Sequence, residues 1–192
     1  MTRTTTCAAV LAVGLLLGGC TLVPTSTVPD ALAPHRVPFG LLGPSIPNTN
    51  NARVRFAAQP VYVIDASGHL TASSRIIPTP ASLETVLREL VLGPTAIESA
   101  AGLTSALPRG LIILQATIKR GVAQVSLTTS LATLGRSDEM LAIAQLTYTA
   151  HAVGATSGLQ ILIAGVTQPL PIPGGANEGQ VTVDNYRSLL NS

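Results

Sequence analysis

Apolar and polar positions recur in regular patterns between residues 60 and 192. Residues 61–65 are rich in β-branched and aromatic side chains and predict a strand, and residues 70–77 predict the strand that returns after a glycine turn. From Leu83 to Val91 large apolar residues recur at i, i+3, i+4, i+7 and i+8, which predicts an amphipathic helix. The chain therefore begins its folded part with a hairpin and a helix.

Residues with special backbone preferences mark the ends of this helix. Thr79 is a candidate N-cap, and Pro80 follows it at the first helical position, where proline is favoured. Gly93 is expected to adopt the left-handed conformation just past the last turn, and Pro94 prevents the helix from continuing. Residues 95–110 are then expected to form a polar, glycine-containing connection.

Strict alternation predicts a second hairpin, with strands at residues 111–119 and 122–127 around a tight turn. In the first of these strands we expect Leu114, Ala116 and Ile118 on the buried face. The expected solvated face carries polar residues from both strands, namely Gln115, Thr117, Gln124 and Ser126.

A second helix is predicted after this hairpin. Ser137 is its candidate N-cap, and Asp138 and Glu139 in the first turn would interact favourably with the helix dipole. The helix is expected to run to about Val153, where Gly154 ends it.

The order of these elements predicts the fold class. Residues 159–165 predict a central apolar strand, three prolines after it exclude another central strand, and residues 180–184 are a candidate edge strand. The order hairpin, helix, hairpin, helix, strand predicts a single α+β domain of two layers, in which two amphipathic helices cover one face of a mixed or antiparallel sheet.

The first nineteen residues are typical of an export signal. Arg3 precedes an apolar and glycine run at residues 7–17, which is shorter than the about 20 residues that a membrane-spanning helix needs. Residues 17–20, Leu-Gly-Gly-Cys, resemble a bacterial lipobox, which implies removal of residues 1–19 and acylation of Cys20, palmitate included. The alternative is an ordinary secretory signal with an incidental cysteine. The second cysteine, Cys7, would leave with the signal, so no disulfide is expected.

Residues 20–59 have the composition of a tether. Its prolines hold the chain extended and remove backbone donors, so neither helix nor sheet is expected. One part of it carries five large apolar residues, Val37, Phe39, Leu41, Leu42 and Ile46. Either this segment folds back on the domain, or it docks on a membrane partner.

Composition and charge exclude some classes of protein. Hydrophobic residues make up 46% and charged residues only 10%, against roughly 25% charged residues in ordinary globular proteins, so general disorder is not expected. The net charge is +2, or +1 without Arg3, which argues against binding to nucleic acid. With two Phe, three Tyr and no Trp, few side chains could stack on bases or sugars.

No motif for catalysis, a cofactor or a metal stands out. His35, His69 and His151 are far apart and show no HExxH or paired metal spacing, and Lys119 is the only lysine. There is no GxSxG nucleophile motif and no lysine in a glycine-rich phosphate loop. We therefore expect no enzyme, no cofactor and no metal.

Several short motifs nevertheless match one known domain family. They are Val61-Tyr62-Val63, Leu-Val-Leu-Gly-Pro-Thr at residues 90–95, Glu98, Gly102-Leu103, Ser-Ala-Leu-Pro-Arg-Gly at residues 105–110 and Gln-Leu-Thr-Tyr-Thr at residues 145–149. With these residues the chain resembles the GerMN domain of sporulation and germination lipoproteins and of actinobacterial envelope lipoproteins, over residues 60 to about 175. It departs from the well-known members in having one such domain and no second copy.

The resemblance implies a non-enzymatic envelope module, with no catalytic residues to carry over. The expected organisation is a signal peptide at residues 1–19, a lipidated tether at 20–59 and a GerMN-like domain at 60–192. The expected location is the extracytoplasmic face of the cell membrane, anchored through lipid on Cys20. The domain is expected to bind an envelope protein and to assist or regulate an envelope complex; the alternative is a module that binds a small cell-wall or envelope ligand.

Three residues have expected structural roles. Glu98 is expected to form an ion pair with Arg75 or Arg109 that fixes the long connection, and a ligand contact is the alternative. Tyr148 is expected to be half-buried on the second helix, with its hydroxyl reaching solvent or backbone. His151 is expected to interact with the negative end of the helix dipole.

Overall fold

A computed structural model of the chain describes residues 54–191. The predicted signal peptide, the lipid site at Cys20, His35 and the apolar segment of the tether lie outside the described residues. None of the helices among residues 54–191 is long and apolar enough to cross a membrane.

The first two strands form a long antiparallel hairpin of β1 (Arg55–Ile64) and β2 (Leu70–Thr79). Both predicted strands are confirmed, but β1 begins at Arg55 and not at residue 61. Residues 55–59 had been assigned to the tether because proline-rich sequence disfavours sheet. They form strand because residues 75–79 lie opposite them and satisfy their backbone groups.

Helix α1 spans Leu83–Val91 and buries the predicted apolar face, which consists of Leu83, Val86, Leu87 and Leu90. Its N-cap is Ser82, whose Oγ accepts a hydrogen bond from the backbone N–H of Thr85 at 3.1 Å. The prediction of Thr79 as N-cap is wrong, because Thr79 ends β2 and its hydroxyl donates to the carbonyl of Arg55 at 3.1 Å. Gly93 has φ +82°, which confirms the predicted left-handed position after the helix.

The connection after α1 contains a short helix that the sequence analysis did not predict, α2 (Ala96–Ala100). A capping box begins it. The backbone N–H of Glu98 donates to Oγ1 of Thr95 at 3.2 Å, and the backbone N–H of Thr95 donates to Oε2 of Glu98 at 2.6 Å. The Thr-x-x-Glu spacing that produces this geometry is a known signal for a helix start.

The second hairpin consists of β3 (Ile113–Lys119) and β4 (Val122–Leu127), as predicted. The register shifts between Ile113 and Gln115, so Leu114 is the extra residue of a β-bulge. The bulge turns Leu114 outward, where 60% of its surface is exposed, and Ile118 near the turn is 38% exposed. The predicted buried face of Leu114, Ala116 and Ile118 is therefore right only for Ala116.

Helix α3 spans Arg136–Ala152. Ser137 was predicted as its N-cap, and this is wrong because the N-cap is Gly135 and Ser137 already lies in the first turn. Asp138 and Glu139 occupy the first turn as predicted. Residues 142–150 are all buried, so the middle of α3 is covered on every side and its polar side chains need partners inside the protein.

Strand β5 (Gly158–Ile163) lies inside a four-stranded sheet of order β3-β4-β5-β6, where β6 is the short strand Val166–Thr167. β4 and β5 are parallel and the other neighbours are antiparallel. α3 is the crossover that a parallel pair requires. The predicted central strand and mixed sheet are confirmed.

The C-terminal segment forms strands β7 (Leu170–Pro171) and β8 (Asn177–Glu178) and a 3-10 helix at Val183–Leu189. The candidate edge strand at residues 180–184 is reduced to one bridge between Val181 and Leu159, because the chain turns into the 3-10 helix.

The core lies between the sheet and the two long helices. α1 packs on β3, α3 packs on β5 and β1, and the helices contact each other. The inner face of the sheet contributes buried side chains, Ile113, Ala116, Ala123, Val125, Leu127, Leu159 and Ile161. The domain therefore has the predicted α+β class, with helices over one face of a mixed sheet.

The position of the N-cap of α1 can be tested by substitution. Ser82→Ala removes the capping oxygen and is expected to lower the free energy of unfolding by about 1 kcal/mol. Ser137→Ala, at the N-cap predicted for α3 from sequence, is expected to change it by less than about 0.5 kcal/mol, because that hydroxyl caps no helix. Urea unfolding of both variants measures the difference, and equal losses would contradict the assignment.

Candidate functional site

Arg75 and Glu98 form a buried ion pair, which is one of the two pairings predicted for Glu98. Nη2 of Arg75 lies 2.6 Å from Oε2 of Glu98, and Nε of Arg75 donates to Oε1 at 3.2 Å. Both side chains are only 9% exposed. The guanidinium and carboxylate thus meet through two parallel hydrogen bonds, the geometry that gives such pairs their strength and direction.

The two side chains of this pair also form hydrogen bonds with neighbouring segments of the chain. Arg75 also donates to the backbone carbonyl of Gly93 at 3.0 Å, and the hydroxyl of Ser73 donates to Glu98. Together with the capping box at Thr95, these contacts join β2, the end of α1 and the start of α2. The ion-pair role predicted for Glu98 is confirmed, and its partner is Arg75 and not Arg109.

Opposing effects act on the pKa of Glu98. Burial alone would raise it, but the hydrogen bonds from Ser73 and Thr95 and the charge of Arg75 outweigh burial and hold the pKa below its ordinary value of 4.5. Glu98 is therefore a charged structural group at neutral pH, unlike a general acid, whose pKa would be raised.

Gln145 on α3 joins three segments that are far apart in sequence. Its side chain is fully buried, and Nε2 donates to the carbonyl of Tyr62 on β1 at 2.9 Å. Oε1 accepts from the backbone N–H of Ala106 at 2.8 Å and from the hydroxyl of Ser105 at 3.3 Å. One carboxamide therefore fixes the Ser-Ala-Leu-Pro-Arg-Gly loop against β1 and α3.

One helical turn further along α3, Thr149 and Tyr148 complete this contact. Oγ1 of Thr149 accepts from the backbone N–H of Tyr62 at 3.0 Å, and the rings of Tyr62 and Tyr148 have centroids 5.1 Å apart. The hydroxyl of Tyr148 donates to the carbonyl of Val183 at 3.1 Å, which confirms the predicted backbone contact. Tyr148 is more buried than predicted, and burial raises the pKa of its hydroxyl.

The segments that carry the motifs are held in place by these hydrogen bonds and surround a groove, which we call the loop groove. Its volume is about 620 Å³. It is lined by Val91, Leu92, Gly93, Pro94, Ser99, Gly102, Leu103, Thr104, Ser105, Leu107 and Arg109. The guanidinium of Arg109 has no carboxylate within 4.0 Å among the described residues, so it is available to a ligand.

A second concavity, which we call the β3 recess, adjoins the loop groove through Val91 and Leu92. Its volume is about 370 Å³. It is lined by Arg88, Val91, Leu92, Leu111, Ile112 and Ile113. Because five of these six side chains are apolar and the sixth, Arg88, is paired with Glu84, the β3 recess suits an apolar group.

The chemistry of these surfaces is that of binding. No three His, Cys, Asp or Glu side chains among residues 54–191 are placed to hold a metal ion. His69 lies in the turn after β1, and His151 lies in the last turn of α3, where a dipole contact was predicted. The polar side chains that the fold brings together at the motifs form hydrogen bonds to one another and to the backbone.

The sequence analysis missed Gln145, Thr149 and Ser73 as members of the polar network. Two signals were available. Thr95 and Glu98 have capping-box spacing, and Gln145 and Thr149 are four residues apart, so they share one face of α3. That this face meets β1 and not solvent depends on tertiary packing.

Comparison with protein families gives one match. A family model described as Germane, sporulation and spore germination, matches residues 60–169. The match includes all the motifs on which the resemblance to GerMN domains rests, and it confirms that resemblance. No curated protein matches the chain.

Solved structures with the same fold come from the sporulation protein GerM of Bacillus subtilis. Its first GerMN domain aligns with a TM-score of 0.52 at 19% identity, covering 67% of this chain and 98% of that one. Its tandem GerMN domains align with the same TM-score and identity over 67% of this chain and 46% of that one, so this chain spans about half of the tandem structure. A Clostridium perfringens protein described as a candidate lipoprotein aligns at 13% identity with a TM-score of 0.43, over 72% of this chain and 93% of that one, too low to carry an argument.

The buried ion pair has a matched exposed control. Glu98→Gln leaves Arg75 buried without a counter-charge and is expected to lower the free energy of unfolding by about 3 kcal/mol at pH 7. Glu84→Gln breaks the ion pair with Arg88, which has the same 2.6 Å distance but is exposed, and is expected to cost less than about 0.5 kcal/mol. Urea unfolding measures both changes in the free energy of unfolding. A third variant, Glu98→Lys, reverses the charge, and an unchanged stability in that variant would refute the structural role of Glu98.

The pH dependence of stability tests whether the effect of Glu98→Gln comes from the loss of the charge on Glu98. Because the pKa of Glu98 in the folded protein lies below 4.5, its contribution to stability is complete above that pH and is lost as pH falls through the folded pKa. The difference between wild type and Glu98→Gln should therefore stay constant from pH 7 to pH 5.5 and shrink below pH 4.5. A difference that grows on acidification would contradict the ion pair.

Proposed function

The chain belongs to the Germane family of sporulation and spore germination domains, and on this premise we propose that it is a lipid-anchored envelope protein whose domain binds a partner protein. The observation that carries this proposal is the apolar surface beside the loop groove. Leu92, which lines the loop groove, is 77% exposed, and Ile97, on α2 two residues before the lining residue Ser99, is 84% exposed. Large apolar side chains exposed together next to a concave surface are typical of protein-binding sites.

The buried network supports a binding role over a catalytic one. Glu98 and Gln145 are polar motif residues that an active site would be expected to use, and both are occupied by structural hydrogen bonds, those of Glu98 coming in part from Arg75. What they leave exposed is a shaped surface with apolar side chains and one free guanidinium, that of Arg109. Such a surface can recognise a partner, and the lining of the loop groove includes the hydroxyls of Ser99, Thr104 and Ser105 but no cysteine, histidine or carboxylate side chain.

The proposed anchor is lipid on Cys20, palmitate included, with the domain on the extracytoplasmic face of the cell membrane. It is supported by the apolar run at residues 7–17 and the Leu-Gly-Gly-Cys sequence that ends at Cys20. If the segment after Cys20 is a proline-rich tether, as its sequence predicts, about 35 residues would reach roughly 30–35 Å or more. The domain would therefore meet proteins close to the membrane surface, and we propose that its partner belongs to an envelope complex which it assists or regulates.

A second candidate function is binding of a small cell-wall or envelope ligand. The loop groove favours it, because about 620 Å³ is within the usual range of small-molecule sites. Arg109 at the groove would bind an anionic group. The scarcity of aromatic residues argues against a sugar that stacks on the protein.

Photo-crosslinking in cells distinguishes the two functions. A photo-crosslinking amino acid is placed at Ile97, near the loop groove, in the full-length protein and in its Cys20→Ala variant, followed by affinity capture and mass spectrometry. We expect one envelope protein to be crosslinked in the lipidated protein and lost with Cys20→Ala, because the anchor keeps the domain near its partner. A crosslinker at the exposed Val166 on β6 serves as the control position and should capture less of that protein.

Two results would contradict the protein-binding proposal. One is the absence of a crosslinked protein from every position while the full-length protein binds isolated cell wall, which would establish the small-ligand function. The other is equal capture from Ile97 and Val166, which would show contact without a specific surface.

A further inference from the structure

β3 is a long free edge of the four-stranded sheet. Among the described residues it pairs only with β4, whereas the opposite end of the sheet is the two-residue strand β6. Beside β6, the edge of β5 is also covered, because Leu159 and Val181 exchange backbone hydrogen bonds of 2.7 and 3.0 Å. The C-terminal segment thus protects one edge of the sheet, whereas no described strand pairs with the outer edge of the seven-residue β3, whose start is flanked by the end of α1.

The backbone of β3 presents hydrogen-bonding groups at this edge. Arg120 and Gly121 form a two-residue hairpin turn with φ of 52° and 81°. A turn of this kind is closed by a hydrogen-bonded pair, here Lys119 and Val122, so the N–H of Ile118 points away from β4. No backbone or side-chain bond from another described element reaches it.

Three exposed side chains at or beside this edge are large and apolar, and they alternate with the polar residues Gln115, Thr117 and Lys119. Free edges are usually protected by charge, proline or a covering segment, and here the charge is confined to the ends. Ile112, Leu114 and Ile118 are all exposed, and the bulge turns Leu114 outward. The β3 recess opens at the start of the same strand, between Leu92 and Ile112. An extended segment paired with β3 would therefore have an apolar pocket for one of its side chains.

Positive charges stand at both ends of this edge. Arg88 and Arg109 lie near its start, where they line the β3 recess and the loop groove, and Lys119 and Arg120 lie at its end. Among the described residues Arg109, Lys119 and Arg120 have no carboxylate within 4.0 Å, and of these four cations only Arg88 has one, from the half-buried Glu84. The edge is thus complementary to an acidic segment.

We propose that the free edge of β3 binds an extended segment of a partner protein that carries apolar residues flanked by acidic ones, by adding a strand to the sheet. The proposal rests on the protein-binding function proposed above and names its surface and the chemistry of its partner. Backbone hydrogen bonds to β3 supply affinity, and the β3 recess and the four cations select the sequence.

Charge also argues against a second copy of this chain at the edge. An antiparallel pairing of two β3 strands would place Lys119 and Arg120 of one copy against Arg88 and Arg109 of the other. A parallel pairing would place each cation pair against itself. Both arrangements bring like charges together, which destabilises paired strands.

Short synthetic peptides test the proposal on the full-length lipidated protein in detergent. The first has a short run of valine and leucine flanked by glutamates at both ends, the second has lysine for glutamate, and the third repeats the first with an N-methylated backbone. We expect the acidic peptide to bind and to slow amide hydrogen exchange in β3. The lysine peptide should bind at least about tenfold more weakly, since it meets like charge. The N-methylated peptide should not bind, since it lacks the donors that a strand needs.

Matched variants locate the binding surface. Leu114 and Val166 are similarly exposed, at 60% and 64%, on β3 and β6 respectively. Leu114→Glu should weaken binding of the acidic peptide at least about tenfold through repulsion and lost apolar contact, whereas Val166→Glu should leave it unchanged. Ile118→Pro removes the outward N–H at a free edge, where proline is tolerated, and should also weaken binding. Circular dichroism and urea unfolding show which variants are folded.

Several outcomes would overturn the proposal. One is equal affinity for the acidic and lysine peptides, and another is slowed amide exchange outside β3 when the acidic peptide binds. A third is self-association of the protein that Leu114→Glu abolishes, because the occupant of the edge would then be a second copy. In cells, a crosslinked partner from Ile97 but none from Leu114 would refute the β3 edge and leave the protein-binding function standing. Crosslinks from neither position would refute the function itself.

Discussion

The edge of β1 that faces away from β2 pairs with another segment only at Ile64, through Thr104, and the structure depends on how α3 supplies hydrogen-bond partners beside that bridge. β2 occupies one edge of β1, and on the other edge Gln145 and Thr149 bind the carbonyl and N–H of Tyr62. The same carboxamide accepts the N–H of Ala106. Because a buried polar group without a partner costs about 1–3 kcal/mol, these bonds define the position of α3 along β1. Together with the backbone hydrogen bonds of 2.9 and 2.7 Å between Ile64 and Thr104, they also define the position of the loop against both.

The ion pair of Arg75 and Glu98 fixes the positions of the segments on the other side of the loop groove. It connects β2 to the end of α1 and the start of α2, so the walls of the groove are built from two buried polar networks. The family motifs therefore shape a surface from beneath. Leu92 and Ile112 are exposed large apolar side chains on that surface, and the protein-binding proposal places recognition of a partner there.

Periodic elements could be predicted from sequence, and features that depend on a second element could not. The apolar face of α1 and the alternation of β4 are local patterns, so both were predicted with nearly the observed bounds. The bulge at Leu114 is a property of the pairing with β4 and leaves no mark in β3 itself. Gln145 looks like an ordinary polar helix residue until β1 is placed beside it. The capping box at Thr95, in contrast, was visible as a spacing and was overlooked.

Amide hydrogen exchange of Gln145→Met tests most directly whether one side chain holds these segments together. Methionine keeps the volume of glutamine but cannot accept the bond from Ala106. We expect exchange at Ala106 to accelerate at least about tenfold, as the loss of about 1.4 kcal/mol implies, while the N–H of Tyr62, held by Thr149, changes much less. Unchanged exchange at Ala106 in a folded variant would contradict the central role of Gln145.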